Sequence, residues 1–277
     1  MQNPFVSTQW LAERLDAPGI VLVDGSWFLP NANRKPHEEY LAGHIPGAVF
    51  FDIDGVADKS TGLPHMLLPP EEFARQVGAL GIGDNMTIVI YDEAGLFSAP
   101  RVWWELSAMG APDIRLLEGG GPKWRAEGRP LESGPSRRRP AVFTPQFHPD
   151  LVRDFAQVKT TLAAHGTIVD ARPAGRFAGR DPEPRPGLPS GHMPGARNVP
   201  ATDLVADGKL RPAAELEAIF DRAGVDLTKP IVTTCGSGVT ASTLRLALMA
   251  AGAQHVAVYD GAWAEWGARP DAELVKD

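Results

Sequence analysis

The sequence predicts an α/β protein built twice over: two tandem domains, each with a largely parallel central sheet flanked by helices. Three observations lead there. The hexamers GHIPGA (43–48) and GHMPGA (191–196) differ at one position, and self-similarity at a fixed offset marks a repeated unit. Short β-rich runs alternate with helical patterns, the order expected of a parallel sheet. The chain is 277 residues long, about twice the usual single-domain size.

The elements follow one another in the same order in each half. In the first, a helix-like segment precedes the apolar run IVLVD, which closes at Asp24; a polar loop and the GH-PGA turn come next. A helix is then predicted from Phe73, Val77 and Leu80 at i, i+4, i+7. The run TIVIYD ends at Asp92 and leads into another helical pattern, after which come IRLLEG and a segment around Trp124. In the second half TIVD closes at Asp170, the helix carries Leu216, Ile219 and Phe220, and PIVTTC places Cys235 143 positions after Asp92. A helix from Ala241 to Ala251, stopped by Gly252, then VAVYDG and a segment around Trp266 complete the match. The helices that follow the two GH-PGA turns each have Pro near the start and Gly near the end. Both tryptophans are expected to pack in a core or a domain interface. Residues 129–149, rich in Pro, Ser and Arg and without a period, are expected to form an extended linker whose arginines face solvent. The domains are therefore drawn at 1–128 and 150–277.

Composition excludes several classes. Hydrophobic residues at 43% and charged residues at 22% are ordinary globular values, which removes collagen, coiled coil and disorder. The 29 glycines and 26 prolines predict many turns. A formal charge of −7, with Arg137-Arg138-Arg139 the only dense basic run, argues against a nucleic-acid or anionic-membrane surface. No run of about 18 apolar residues and no secretory signal pattern occurs, so a soluble, cytoplasmic protein is expected. The single cysteine excludes intramolecular disulfides and a multi-thiolate metal site, leaving Cys235 either a small buried hydrophobe or a reactive thiol.

Its surroundings favour the second. Cys235 follows the β run IVTT and opens the loop CGSGVT, directly before a helix. The unpaired N–H groups and positive dipole end of that helix would face the sulfur, and Gly236 and Gly238 would let the backbone curl around it. Such a cradle favours negative charge on sulfur and on anything added to it. A cysteine phosphatase would need arginine at the sixth position after the thiol to hold a tetrahedral phosphate, whereas Ala241 stands there. The GH-PGA histidines, His44 and His192, are assigned to structure, satisfying backbone groups at tight turns. Asp24 and Asp170 are expected to cap loops at strand ends.

The CGSGVT loop, the paired GH-PGA motifs and the duplication resemble the rhodanese superfamily along nearly the whole chain. Within it the sequence is most similar to the 3-mercaptopyruvate sulfurtransferases, whose loop is CG(S/T)GVT, rather than to thiosulfate sulfurtransferases, whose loop carries Arg and Lys after the cysteine. The resemblance implies sulfur transfer from 3-mercaptopyruvate through a Cys235 persulfide to cyanide, a small thiol or thioredoxin, with no metal or organic cofactor. It implies that Arg176 and Arg185 bind the donor's carboxylate and keto oxygen, a role that suits a planar guanidinium. The loop residues Gly236, Gly238, Val239 and Thr240 would line the donor. Asp54 and His65, with Ser237, match a Ser-His-Asp relay that moves a proton between donor and solvent. Two alternatives stand beside this expectation: a thiosulfate:cyanide sulfurtransferase on the same fold, and a non-catalytic sulfur carrier that accepts persulfide from a partner.

Overall fold

The computed structural model describes residues 4–277. They fall into two compact units, one comprising residues up to Asp58, Leu67–His148 and Asp207–Lys209, the other Lys59–Met66, Pro149–Ala206 and Leu210–Asp277.

The first unit contains β1 (Phe5–Val6), β2 (Ile20–Asp24), β3 (Val49–Phe50), β4 (Thr87–Tyr91) and β5 (Asp113–Leu117). They form a sheet in the order β1-β5-β4-β2-β3, with every pairing parallel. Its helices are α1 (Thr8–Ala12), α2 (Pro36–Ala42), α3 (Pro70–Ala79), α4 (Ala99–Ala108) and α5 (Gly120–Ala126). In the second unit β6 (Val152–Arg153), β7 (Thr167–Asp170) and β8 (Arg197–Asn198) precede a short hairpin, β9 (Val205–Ala206) and β10 (Lys209–Leu210), whose turn residues the first unit claims. With β11 (Ile231–Thr234) and β12 (Val256–Tyr259) they give the order β6-β12-β11-β7-β8, again all parallel. The helices here are α6 (Phe155–Ala163), α7 (Ala174–Phe177), α8 (Ala213–Arg222), α9 (Val239–Ala250) and α10 (Ala262–Trp266).

The two sheets thus share one strand order, which establishes the predicted α/β duplication. Strands such as IVLVD, TIVIY, IVTT and VAVY are continuous apolar runs because a parallel sheet is covered on both faces; each of these four runs is buried almost throughout. Trp124 belongs to the core cluster of the first unit with Leu22, Val89 and Tyr91, and Trp266 to that of the second with Phe155 and Trp263. The predicted faces of α3 and α8 are the buried ones: Phe73 and Val77 in one, Leu216 and Phe220 in the other.

The repeated GH-PGA turn is structural in both halves. His44 Nδ1 bonds the carbonyl of Tyr40 at 2.8 Å and its ring stacks on that tyrosine. His192 Nδ1 does the same with Phe177 at 2.9 Å. Gly47 and Gly195 supply the positive φ of the turn, 77° and 75°.

The segment between the repeats is extended, but it is not a free tether. Ala141 N–H donates to the carbonyl of Gly78, Gln146 N–H to Met109 and His148 N–H to Ala108, while Phe143 packs edge-on against Phe73. Its backbone needs acceptors and finds them along α3 and the end of α4, so residues through His148 belong to the first unit. Residues 59–66 depart from the sequence-drawn boundaries in the opposite sense, joining the second unit.

Candidate active site

The site is centred on the end of β11, the middle strand of its sheet. Cys235 is 2% exposed. After it the chain turns through Gly238, whose φ of 83° lies in the left-handed region that glycine tolerates, and enters α9 at Val239. Of the two loop glycines only Gly238 serves curvature; Gly236 is not among the residues with positive φ.

The loop is oriented by α10. The carbonyls of Cys235 and Gly236 accept the N–H groups of Trp263 and Ala264 at 2.9 and 3.0 Å. In a trans peptide the N–H lies opposite the C=O, so these bonds turn the Gly236 and Ser237 N–H groups away from α10. Among the described residues, the N–H groups from Gly236 to Thr240 meet no protein acceptor. Five donors at a strand-to-helix turn favour an anion there.

Both predicted arginines converge on this loop. A Cβ placed on Gly236 would lie 3.0 Å from Arg176 Nη2 and 3.9 Å from Arg185 Nη1. Arg176 sits on α7, the single helical turn after β7. Arg185 follows on the loop, with Nη2 3.3 Å from His65 Nε2. A guanidinium can only donate, so in this contact His65 Nε2 accepts. His65 is 3% exposed and holds a φ of 61°, a conformation uncommon for a residue with a side chain.

Ser237 is buried beside the thiol, and its hydroxyl makes no hydrogen bond to His65 among the described residues. Val239 is buried at the first turn of α9, and Thr240 is half-buried beside it. Asp54 belongs to the first unit, where it is exposed and accepts the Trp27 indole N–H at 3.0 Å. The second unit therefore assembles Cys235, Arg176, Arg185 and His65, while Asp54 lies in the first unit.

Two residues that sequence reasoning missed hold Arg176 in place. Glu183 Oε2 accepts from Arg176 Nε at 3.1 Å and from its Nη2, and Glu183 Oε1 accepts from Arg172 Nη1 at 2.7 Å. Arg172 is in turn bonded to Asp170 at 2.7 Å and to the Gly191 carbonyl, and it stacks over Trp263. Burial disfavours its charge, but Asp170 and Glu183 more than offset this and raise its pKa above the ordinary value. The available signal was thin: an arginine two positions after the strand-end Asp170, where the first repeat has Ser26, and two acids, Asp181 and Glu183, between Arg180 and Arg185. Asp170 also accepts the Arg172 N–H, as Asp24 accepts that of Ser26, both at 2.9 Å, so both aspartates cap their loops as expected. No cluster of three or more His, Cys, Asp or Glu side chains suited to a metal occurs among the described residues.

Comparison with known proteins agrees with this architecture. A model of the rhodanese-like domain matches residues 7–127 and again 154–269. The chain is 46% identical over 271 residues to the 3-mercaptopyruvate sulfurtransferase of Escherichia coli K12, covering 96% of each. It is 42% identical over 282 residues to the thiosulfate sulfurtransferase of Bos taurus, covering 99% of this chain and 95% of the other. Among solved structures it is similar to SseA from Escherichia coli, reported for the rhodanese fold and mechanism of 3-mercaptopyruvate sulfotransferases. That likeness has a TM-score of 0.87 and 42% identity, covering 94% of this chain and 99% of the other.

Proposed function

Because the chain belongs to the rhodanese-like family and is a sulfurtransferase within it, we propose that it takes sulfur from 3-mercaptopyruvate onto Cys235 and passes it to cyanide, a small thiol or thioredoxin. The convergence of Arg176 and Arg185 on Gly236, the residue after the thiol, carries this reading. A keto acid offers a carboxylate and a ketone oxygen, two acceptors for two guanidinium groups. The loop itself contributes no cation at Gly236 or Ser237, so a doubly negative thiosulfate gains less there.

In the reaction the Cys235 thiolate attacks the donor sulfur, the carbon–sulfur bond breaks, and pyruvate leaves as its enolate and is protonated on carbon. The persulfide is the carrier, so the cycle needs no metal or organic cofactor. The N–H groups of the loop receive its charge. His65, Ser237 and Asp54 form the proton relay, a step that requires His65 to give up or share its contact with Arg185. Gly238, Val239 and Thr240 complete the wall of the donor site. The enzyme is soluble and cytoplasmic. No helix among the described residues is long and apolar enough to cross a membrane.

A paired donor assay, read by intact mass and by turnover, tests the proposal. Mercaptopyruvate without acceptor should add one sulfur to the protein, removable by cyanide, and should sustain turnover better than thiosulfate. A higher efficiency with thiosulfate would make the protein a thiosulfate:cyanide sulfurtransferase. A persulfide acquired only from a protein partner, with no turnover of free donors, would make it a carrier. An unchanged mass with every donor would overturn the thiol's role.

A further inference from the structure

We propose that Glu183 sets the charge of the donor site, and so the preference for a singly over a doubly negative sulfur donor. This inference deepens the proposed function and rests on it.

Four side chains form one buried chain of ion pairs: Asp170 with Arg172, Arg172 with Glu183, and Glu183 with Arg176. Their side chains are 2%, 1%, 2% and 15% exposed in the order Asp170, Arg172, Glu183, Arg176. Each oxygen of Glu183 serves a different arginine. Two carboxylates and two guanidinium groups sum to no net charge, so Arg176 reaches Gly236 with its charge already balanced. Its Nη2 nevertheless lies 3.0 Å from the Cβ position of that glycine, so Arg176 still offers N–H donors beside the thiol. A balanced arginine presents hydrogen bonds without a surplus of positive potential, which suits a monoanion. A dianion gains roughly twice as much from any surplus charge, because the Coulomb energy scales with the product of the charges. The same residue also fixes geometry: Arg176 Nε and Nη2 both bond its Oε2, which orients the guanidinium plane.

Neutralising Glu183 therefore has a signature that loss of structure does not share. Glu183→Gln leaves one uncompensated positive charge beside the loop. The ratio of kcat/KM for thiosulfate to kcat/KM for 3-mercaptopyruvate should rise about tenfold, carried mainly by KM for thiosulfate, the scale of one extra charge contact in a partly buried site. Glu183→Asp keeps the charge; it should slow both donors and leave their ratio within about twofold of wild type. Asp170→Asn, one link further from the thiol, should move the ratio in the same direction by less. A ratio unchanged in Glu183→Gln, or moved equally by Glu183→Asp, overturns the proposal. Should Glu183→Gln fail to fold by circular dichroism, Asp170→Asn decides, and an unchanged ratio there also overturns it. Calorimetric titration in a Cys235→Ser background separates this inference from the sulfurtransferase reading. Sulfate should gain affinity over pyruvate when Glu183→Gln is added, whichever donor the wild type turns over, and no gain overturns the charge assignment.

Discussion

The loops after the two middle strands occupy equivalent places, yet one has its anion built in and the other does not. After β4 the carboxylate of Asp92 accepts four backbone N–H groups of its own loop: Ala94 on one oxygen, and Phe97, Ser98 and Ala99 on the other, at 2.8–3.0 Å. After β11 the corresponding residue is Cys235, and the N–H groups of its loop meet no protein acceptor among the described residues. Lengths differ as well. The chain reaches α4 seven residues after Asp92 but α9 only four after Cys235. One duplicated frame therefore yields a closed, self-satisfied turn and an open anion cradle, and the difference comes from the single residue at the strand end together with three residues of loop. A second contrast runs parallel. The strand-end Asp170 is paired with Arg172, whereas Asp24 has no basic partner among the described residues, and burial pushes its carboxyl up to about 6.

Substitutions sharpen this contrast in descending order of effect. Cys235→Ser should lower turnover about 10³-fold or more and remove the added-sulfur mass; activity near wild type would mean the open loop is not where sulfur is carried. Asp92→Ala should leave the activity-bearing loop intact but strip four N–H groups of their acceptor. Urea unfolding should show a loss of about 2–4 kcal/mol, and a stability within error of wild type would mean that water replaces the carboxylate without cost. Arg176→Ala and Arg185→Ala should each reduce kcat/KM for mercaptopyruvate about 10- to 100-fold, the worth of one charge-assisted hydrogen bond of roughly 1.5–3 kcal/mol. Wild-type kinetics in both would return the convergence on Gly236 to a structural role.

The smallest effect tests the aspartate pair and depends on pH. A carboxyl with a raised folded-state value binds its proton more tightly folded than unfolded, so folding is relatively favoured below the ordinary value of 3.8 and penalised as pH rises through about 6. Asp24→Asn removes that penalty. At pH 7.5 it should stabilise the protein by roughly 1–2 kcal/mol, below the ceiling of about 3 that a two-unit shift allows, because the new amide must find its own acceptor. The gain should shrink as pH falls through 6 and vanish near 4, as measured by urea unfolding across that range. Asp170→Asn, which breaks a buried ion pair, should destabilise at pH 7.5 instead.

What could be read without a structure was what local pattern carries. The repeated GH-PGA turn, the apolar runs ending in Asp24, Asp170, Asp92 and Cys235, and the helices that follow each report on neighbouring residues, and period and turn chemistry act over a few positions. From them came the duplication, the parallel sheets and a thiol at a strand-to-helix turn. The tertiary structure alone decided the rest. It showed that Gly236 lacks a side chain because Arg176 approaches it rather than for curvature, and it made Glu183 the shared partner of two arginines. It fastened the Pro- and Arg-rich segment to α3, and it counted residues 59–66 with the second unit. Each of these depends on residues brought together across loops, where the energy lies in burial and ion pairing between non-neighbours, and such contacts leave no period in the chain.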